Sequence, residues 1–111
     1  MKDELFLPLI CINEYDSFDK VIQLANESEF GLTAGIFSEN ENELSKFFDK
    51  IEAGLLYANR DSSATTGALV QIQPFVGWKK SGITGKGAGG ENYLQQFMRA
   101  QTQTRCERIN E

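Results

Sequence analysis

The chain has 111 residues, with 11 lysines and arginines against 16 aspartates and glutamates, and no histidine. Its formal charge of −5 leaves no basic excess to release counterions from a phosphate backbone, so nucleic acid is excluded as the expected partner. The lack of histidine removes His general bases, His metal ligands and any Ser-His or Cys-His pair. No run of about eighteen apolar residues and no charged-then-apolar leader is present, so a cytoplasmic protein that does not enter the membrane is expected.

A chain of this length makes one domain or part of one. Leu5 to Ile12 is almost continuously apolar, the pattern of a strand covered on both faces, with regular pairing starting after Pro8. Cys11 lies inside that run, where a thiol is buried and inert, and it has no C-x-x-C relation to Cys106. Asp16 or Ser17 can cap a helix whose stripe is Phe18, Val21, Ile22 and Ala25, and Gly31 closes that unit. Thr33 to Phe37 reads as a second strand. Ser38 or Asn40 offers the next cap, followed by a second stripe of Leu44, Phe47, Phe48 and Ile51 that Gly54 stops. Leu55 to Asn59 is a third strand.

Strand, helix, strand, helix, strand with short connections predicts an α/β fold, a βαβαβ parallel-sheet unit over residues 1–60. Residues 61–99 are read as loops, a glycine-rich linker and a last short helix carrying Tyr93, Leu94, Phe97 and Met98 on one face. Residues 100–111 are read as a tail, in which Gln101 to Ile109 alternates polar β-formers with charges and needs a partner strand. Three strands are few for a parallel sheet, and the first opens almost at Met1, so further strands upstream are expected.

The stretch "SGITGKGAGG", Ser81 to Gly90, holds half of the ten glycines and raises the question of a phosphate loop. The Walker form fails, because Gly87 follows Gly85-Lys86 and Lys80 stands where the first glycine should be. Gly85, Gly87 and Gly90 satisfy G-x-G-x-x-G on paper, but no strand leads directly into them and no room remains for the ribose-binding acid. The glycines are therefore read as backbone geometry.

Several segments together resemble the C-terminal part of the aldehyde dehydrogenase superfamily, most closely its 1-pyrroline-5-carboxylate (glutamate semialdehyde) dehydrogenase branch. Glu4-Leu5-Phe6-Leu7-Pro8 resembles the E-x-F-G-P motif, and "FGLTAGIFS", Phe30 to Ser38, the strand-entry segment that follows it. "AGLLYANR", Ala53 to Arg60, resembles the strand ending in an asparagine turn. "ATTGALVQIQPF", Ala64 to Phe75, together with Ser81 to Gly90, resembles the loop that closes the active site and the stretch after it. Thr66-Gly67-Ala68 carries most of the likeness to that branch.

The resemblance implies NAD- or NADP-dependent oxidation of an aldehyde by a nucleophilic cysteine, with a glutamate activating water. Both of those residues lie upstream of the matched region, so no catalytic residue is expected in this chain and none of the activity from the chain alone. Glu4 would accept hydrogen bonds from the nicotinamide ribose hydroxyls, and Phe6 would pack near the nicotinamide. Gly67 and Ala68 would offer backbone amides to the substrate carboxylate, and Phe75 would line the aldehyde pocket. The implied partners are further copies of the chain, joined through the tail strand, or an upstream dehydrogenase polypeptide. Leu7, where the motif has glycine, and Val76, where P-F-G-G has its first glycine, depart from the pattern, and a side chain at either place would crowd close backbone approach. A non-catalytic interaction or small-anion-binding module, or a non-functional remnant, is the alternative.

Overall fold

The computed structural model describes residues 3–60, 69 and 71–107. Its elements run α1 (Phe18–Asn26), β1 (Phe30–Gly31), β2 (Thr33–Ile36), α2 (Glu41–Lys50), β3 (Leu55–Ala58), β4 (Trp78–Lys79) and a short 3-10 helix (Leu94–Phe97). Both helices form where the apolar stripes place them. The caps differ in kind. Asn40 accepts a hydrogen bond from the Asn42 amide at 3.0 Å, whereas Ser17 precedes α1 with extended backbone and no side-chain cap bond. Helix α2 ends at Lys50, where Ile51 leaves helical geometry, so the chain turns before Gly54 is reached.

The buried apolar residues are Ile22 of α1, Phe47 of α2, and Ile51, Ala53 and Leu55 around the start of β3. Phe18, Ala34, Ile36 and Leu56 pack against the cluster of Ile22, Phe47, Ile51 and Ala53. The two stripes thus meet over one face of the β2 and β3 pair. Those strands are parallel, Thr33 opposite Leu55 through Ile36 opposite Ala58, with α2 as the crossover between them. A second ribbon is antiparallel, with Phe30 opposite Lys79 and Gly31 opposite Trp78.

The predicted first strand is corrected. Residues 5–12 carry no strand, and Ile10 and Ile12 are 87% and 92% exposed. An apolar run signals a need for burial, but a strand also needs a neighbour to accept its ladder bonds, and among the described residues no strand pairs with this segment. The observed parallel unit is β2-α2-β3, preceded by α1, and it lacks the first strand of the expected βαβαβ. Cys11 is accordingly exposed rather than buried. The last helix is a single 3-10 turn with Leu94 and Phe97 largely exposed, since its apolar residues find no facing layer. Residues 101–107 of the tail are exposed and without regular structure. No helix among the described residues is long and apolar enough to cross a membrane.

Candidate functional site

The glycine-rich stretch folds back on the segment before β4. Phe75 and Ala88 form an isolated antiparallel bridge, with Phe75 N–H donating to the Ala88 carbonyl at 2.8 Å and Ala88 N–H to the Phe75 carbonyl at 2.9 Å. Gly87, at φ +65°, sits where a Cβ would overlap the Phe75 carbonyl oxygen. Only glycine combines that left-handed backbone with that approach. Gln96 fastens the stretch to the 3-10 helix, its Nε2 donating to the Gly87 carbonyl at 3.0 Å.

This fold-back encloses a cleft of about 310 Å³, lined mainly by apolar groups including Phe75, Val76, Leu32 and Ile83, with Ser81 among the polar ones. A second cleft, of about 390 Å³, lies toward the chain's beginning and is lined by Glu4, Asn26, Ser28, Glu52, Leu32 and Ser81 among others. Lys79 ties three of its lining residues together. The Lys79 ammonium donates to the Asn26 carbonyl at 2.6 Å and the Ser28 carbonyl at 3.0 Å, and pairs with Glu52 at 2.8 Å. These are the carbonyls leaving α1, where a cation is favoured by the helix dipole. The Asn26 amide adds a second tie, donating to the Lys50 carbonyl at 2.7 Å and accepting from the Glu52 amide at 2.9 Å.

The predicted site residues are therefore not gathered at one point. Glu4 lines the second cleft and Phe75 the first. Phe6 is 90% exposed, at φ +48°. Gly67 and Ala68 lie outside the described residues. The departures at Leu7 and Val76 occupy different settings: Leu7 is exposed in a tight turn, its carbonyl accepting from Leu9 N–H at 2.7 Å. The Val76 backbone is packed against Gly54, where any Cβ would overlap the Val76 carbonyl. Sequence reasoning missed Ser81, Leu32, Lys79 and Asn26. The available signals were weak: a serine flanked by Lys79-Lys80 and Gly82, and a leucine inside "FGLTAG". Among the described residues no group of three Asp, Glu, Cys or His side chains is placed to hold a metal ion.

The aldehyde dehydrogenase family matches residues 1–103. The chain belongs to that family. A 1-pyrroline-5-carboxylate dehydrogenase of Oceanobacillus iheyensis is 39% identical over 104 residues, 94% of this chain and 19% of the relative. Among solved structures, a 1-pyrroline-5-carboxylate dehydrogenase is 35% identical with a TM-score of 0.76, covering 86% of this chain and 18% of that one. A Thermus 1-pyrroline-5-carboxylate dehydrogenase with bound NAD is 38% identical with a TM-score of 0.64, covering 73% of this chain and 15% of that one. The chain thus spans about a fifth of the length of the curated relatives, 19% of the Oceanobacillus one. The fold it shares with these members of the aldehyde dehydrogenase family is a mixed arrangement of helices and strands.

Proposed function

We propose that the chain is the C-terminal part of an NAD- or NADP-dependent 1-pyrroline-5-carboxylate dehydrogenase that oxidises glutamate semialdehyde to glutamate. In that role it forms one wall of an active site completed by an upstream polypeptide. The observation that carries this reading is the pairing of two clefts on one small body, one edged by the Glu4 carboxylate and one by the Phe75 ring, in a chain whose relatives bear that dehydrogenase name.

The residues present fit the nicotinamide end of the cofactor. Glu4 is an exposed carboxylate with two acceptor oxygens for ribose hydroxyls, and Phe6 offers an uncovered ring. NAD(P), when bound, supplies the acceptor for the hydride that leaves the substrate carbon. Phe75 and the apolar lining around it exclude water from the aldehyde side, which strengthens every polar contact made there. Gly67 and Ala68 serve the substrate carboxylate through backbone amides. The nucleophile and general base come from the upstream polypeptide. The polar tail, residues 101–107, adds as a strand to a neighbouring subunit.

The test mixes the chain with a separately expressed upstream part of a 1-pyrroline-5-carboxylate dehydrogenase and follows NAD(P)H formation from glutamate semialdehyde. Turnover is expected from the mixture and from neither polypeptide alone. A mixture whose two polypeptides co-elute as a complex yet form no NAD(P)H overturns the reading.

A further inference from the structure

The two clefts share a wall, and Ser81 and Leu32 are in it: both line the cleft edged by Glu4 and the cleft edged by Phe75. Ser81 also makes the polar contact that holds this wall together. Its Oγ accepts from the Gly31 N–H at 3.1 Å, across 50 residues of sequence and in a part-buried setting. Gly31 is in turn the junction of the two sheets. It pairs with Trp78 in the antiparallel ribbon, and its carbonyl accepts from Gly54 N–H at 3.0 Å just where β3 begins. The next residue, Leu32, repeats the link by accepting from Leu55 N–H at 3.0 Å.

Ser81 itself is held from its own side. Its N–H donates to the Trp78 carbonyl at 3.0 Å, and Lys80 N–H donates to the Glu29 carbonyl at 3.0 Å. The turn is closed so tightly that a Cβ on Gly77 would overlap the Ser81 carbonyl, and one on Gly82 the Gly77 carbonyl. A hydroxyl with a fixed origin therefore grips the amide at which both sheets meet. Gly31 lines the cleft edged by Glu4 and Ser81 lines both clefts, so a shift of Gly31 against Ser81 alters the wall between them.

Resting on the functional reading above, we propose that Ser81 is a positioning residue for hydride transfer: its hydroxyl sets the spacing between the cofactor-side cleft and the aldehyde-side cleft. In the reaction the substrate carbon is oxidised and gives its hydride to the nicotinamide, which is reduced. That step depends on the approach of the two partners, and a misplacement of about 1 Å costs about a hundredfold. Binding of each partner alone depends on its own cleft and survives a change in their spacing. The effect of losing the hydroxyl therefore falls on kcat.

The experiment compares Ser81→Ala and Ser81→Thr in the complex of the full chain with the upstream polypeptide. Ser81→Ala is expected to lower kcat by about 10- to 100-fold with the KM for aldehyde and for NAD(P) nearly unchanged, and Ser81→Thr, which keeps the hydroxyl, is expected to recover most of kcat. In the full chain alone, amide hydrogen exchange at Gly31 should quicken with Ser81→Ala and not with Ser81→Thr, while α2 keeps its protection. Wild-type kcat in Ser81→Ala, a rise in KM in place of the fall in kcat, or equal Gly31 exchange in all three chains overturns the inference. A wild-type complex that forms but does not turn over overturns the functional reading, and the catalytic role of Ser81 falls with it. Wild-type turnover that Ser81→Ala leaves intact overturns the role of Ser81 alone.

Discussion

Asn59 occupies left-handed backbone, φ +51°, at the end of β3, and its side chain answers both polar groups of the Ser38 backbone. Ser38 N–H donates to Asn59 Oδ1 at 2.9 Å, and Asn59 Nδ2 donates to the Ser38 carbonyl at 2.9 Å. One side chain thus ties the end of β3 to the turn after β2, just past the last backbone bond between the strands, from Asn59 N–H to the Ile36 carbonyl at 2.8 Å. Asparagine suits the site twice over, since it tolerates the left-handed region and has both a donor and an acceptor. Asn59→Gly removes only the two bonds and should cost about 1 to 2 kcal/mol. Asn59→Ala adds the cost of a Cβ at positive φ and should lie about 1 kcal/mol lower still. The midpoints of urea unfolding for the three chains check this, and a glycine variant less stable than the alanine one would contradict it. The asparagine turn was visible in "AGLLYANR", but its partner Ser38 was not, because a bond spanning 21 residues leaves no local pattern.

At the scale of elements, the two helices offer a controlled comparison of caps. Asn40 bonds the first-turn amide of α2 at 3.0 Å, and Ser38 supports it, its Oγ accepting from Asn40 N–H at 3.1 Å and donating to Glu43 at 2.6 Å. Ser17 makes no such bond before α1. Asn40→Ala should therefore destabilise the chain by about 0.5 to 2 kcal/mol, whereas Ser17→Ala should cost less than about 0.5 kcal/mol. Circular dichroism during thermal unfolding measures both, and equal losses would show that the Asn40 bond contributes nothing. Helices were the most legible part of the sequence for a physical reason. A 3.6-residue stripe specifies which face is buried, and Ile22 and Phe47 are buried as their stripes require. Strands β2 and β3 were legible because short apolar runs beside capped helices leave little else. The run at residues 5–12 is apolar too but has no strand beside it among the described residues, and composition states what a segment needs, not whether a neighbour supplies it. The candidate site was legible in part for the same reason. Glu4 and Phe75 could be picked out by type and motif, while Ser81 and Lys79 act through contacts to Gly31, Asn26 and Ser28 that only the folded chain creates.

The whole molecule is open. Its accessible surface is 9783 Å², where a compact monomer of 12.4 kDa would expose about 6,100 Å². Its radius of gyration is 20.6 Å, against about 13 Å for a compact domain of about this length. Two exposed stretches near its ends differ in chemistry. Residues 5–12 present Leu5, Phe6, Leu7, Leu9, Ile10 and Ile12 to solvent, whereas residues 101–107 present Gln, Thr, Arg and Glu side chains and Cys106. Uncovered apolar side chains associate with whatever surface is available, in proportion to concentration and without fixed number. A polar segment that adds as a strand associates only through ladder bonds to a specific edge, which gives a fixed number. The two ends should therefore separate in light scattering. The chain alone is expected to show a mass that rises with concentration, and the double variant Ile10→Lys with Ile12→Lys should suppress that rise. With the upstream polypeptide bound, the concentration-dependent rise should disappear and leave a discrete assembly, which deletion of residues 101–111 should split into its smallest complex. A chain that stays monomeric at every concentration would refute the first part, and a complex of the same mass with and without residues 101–111 would refute the second.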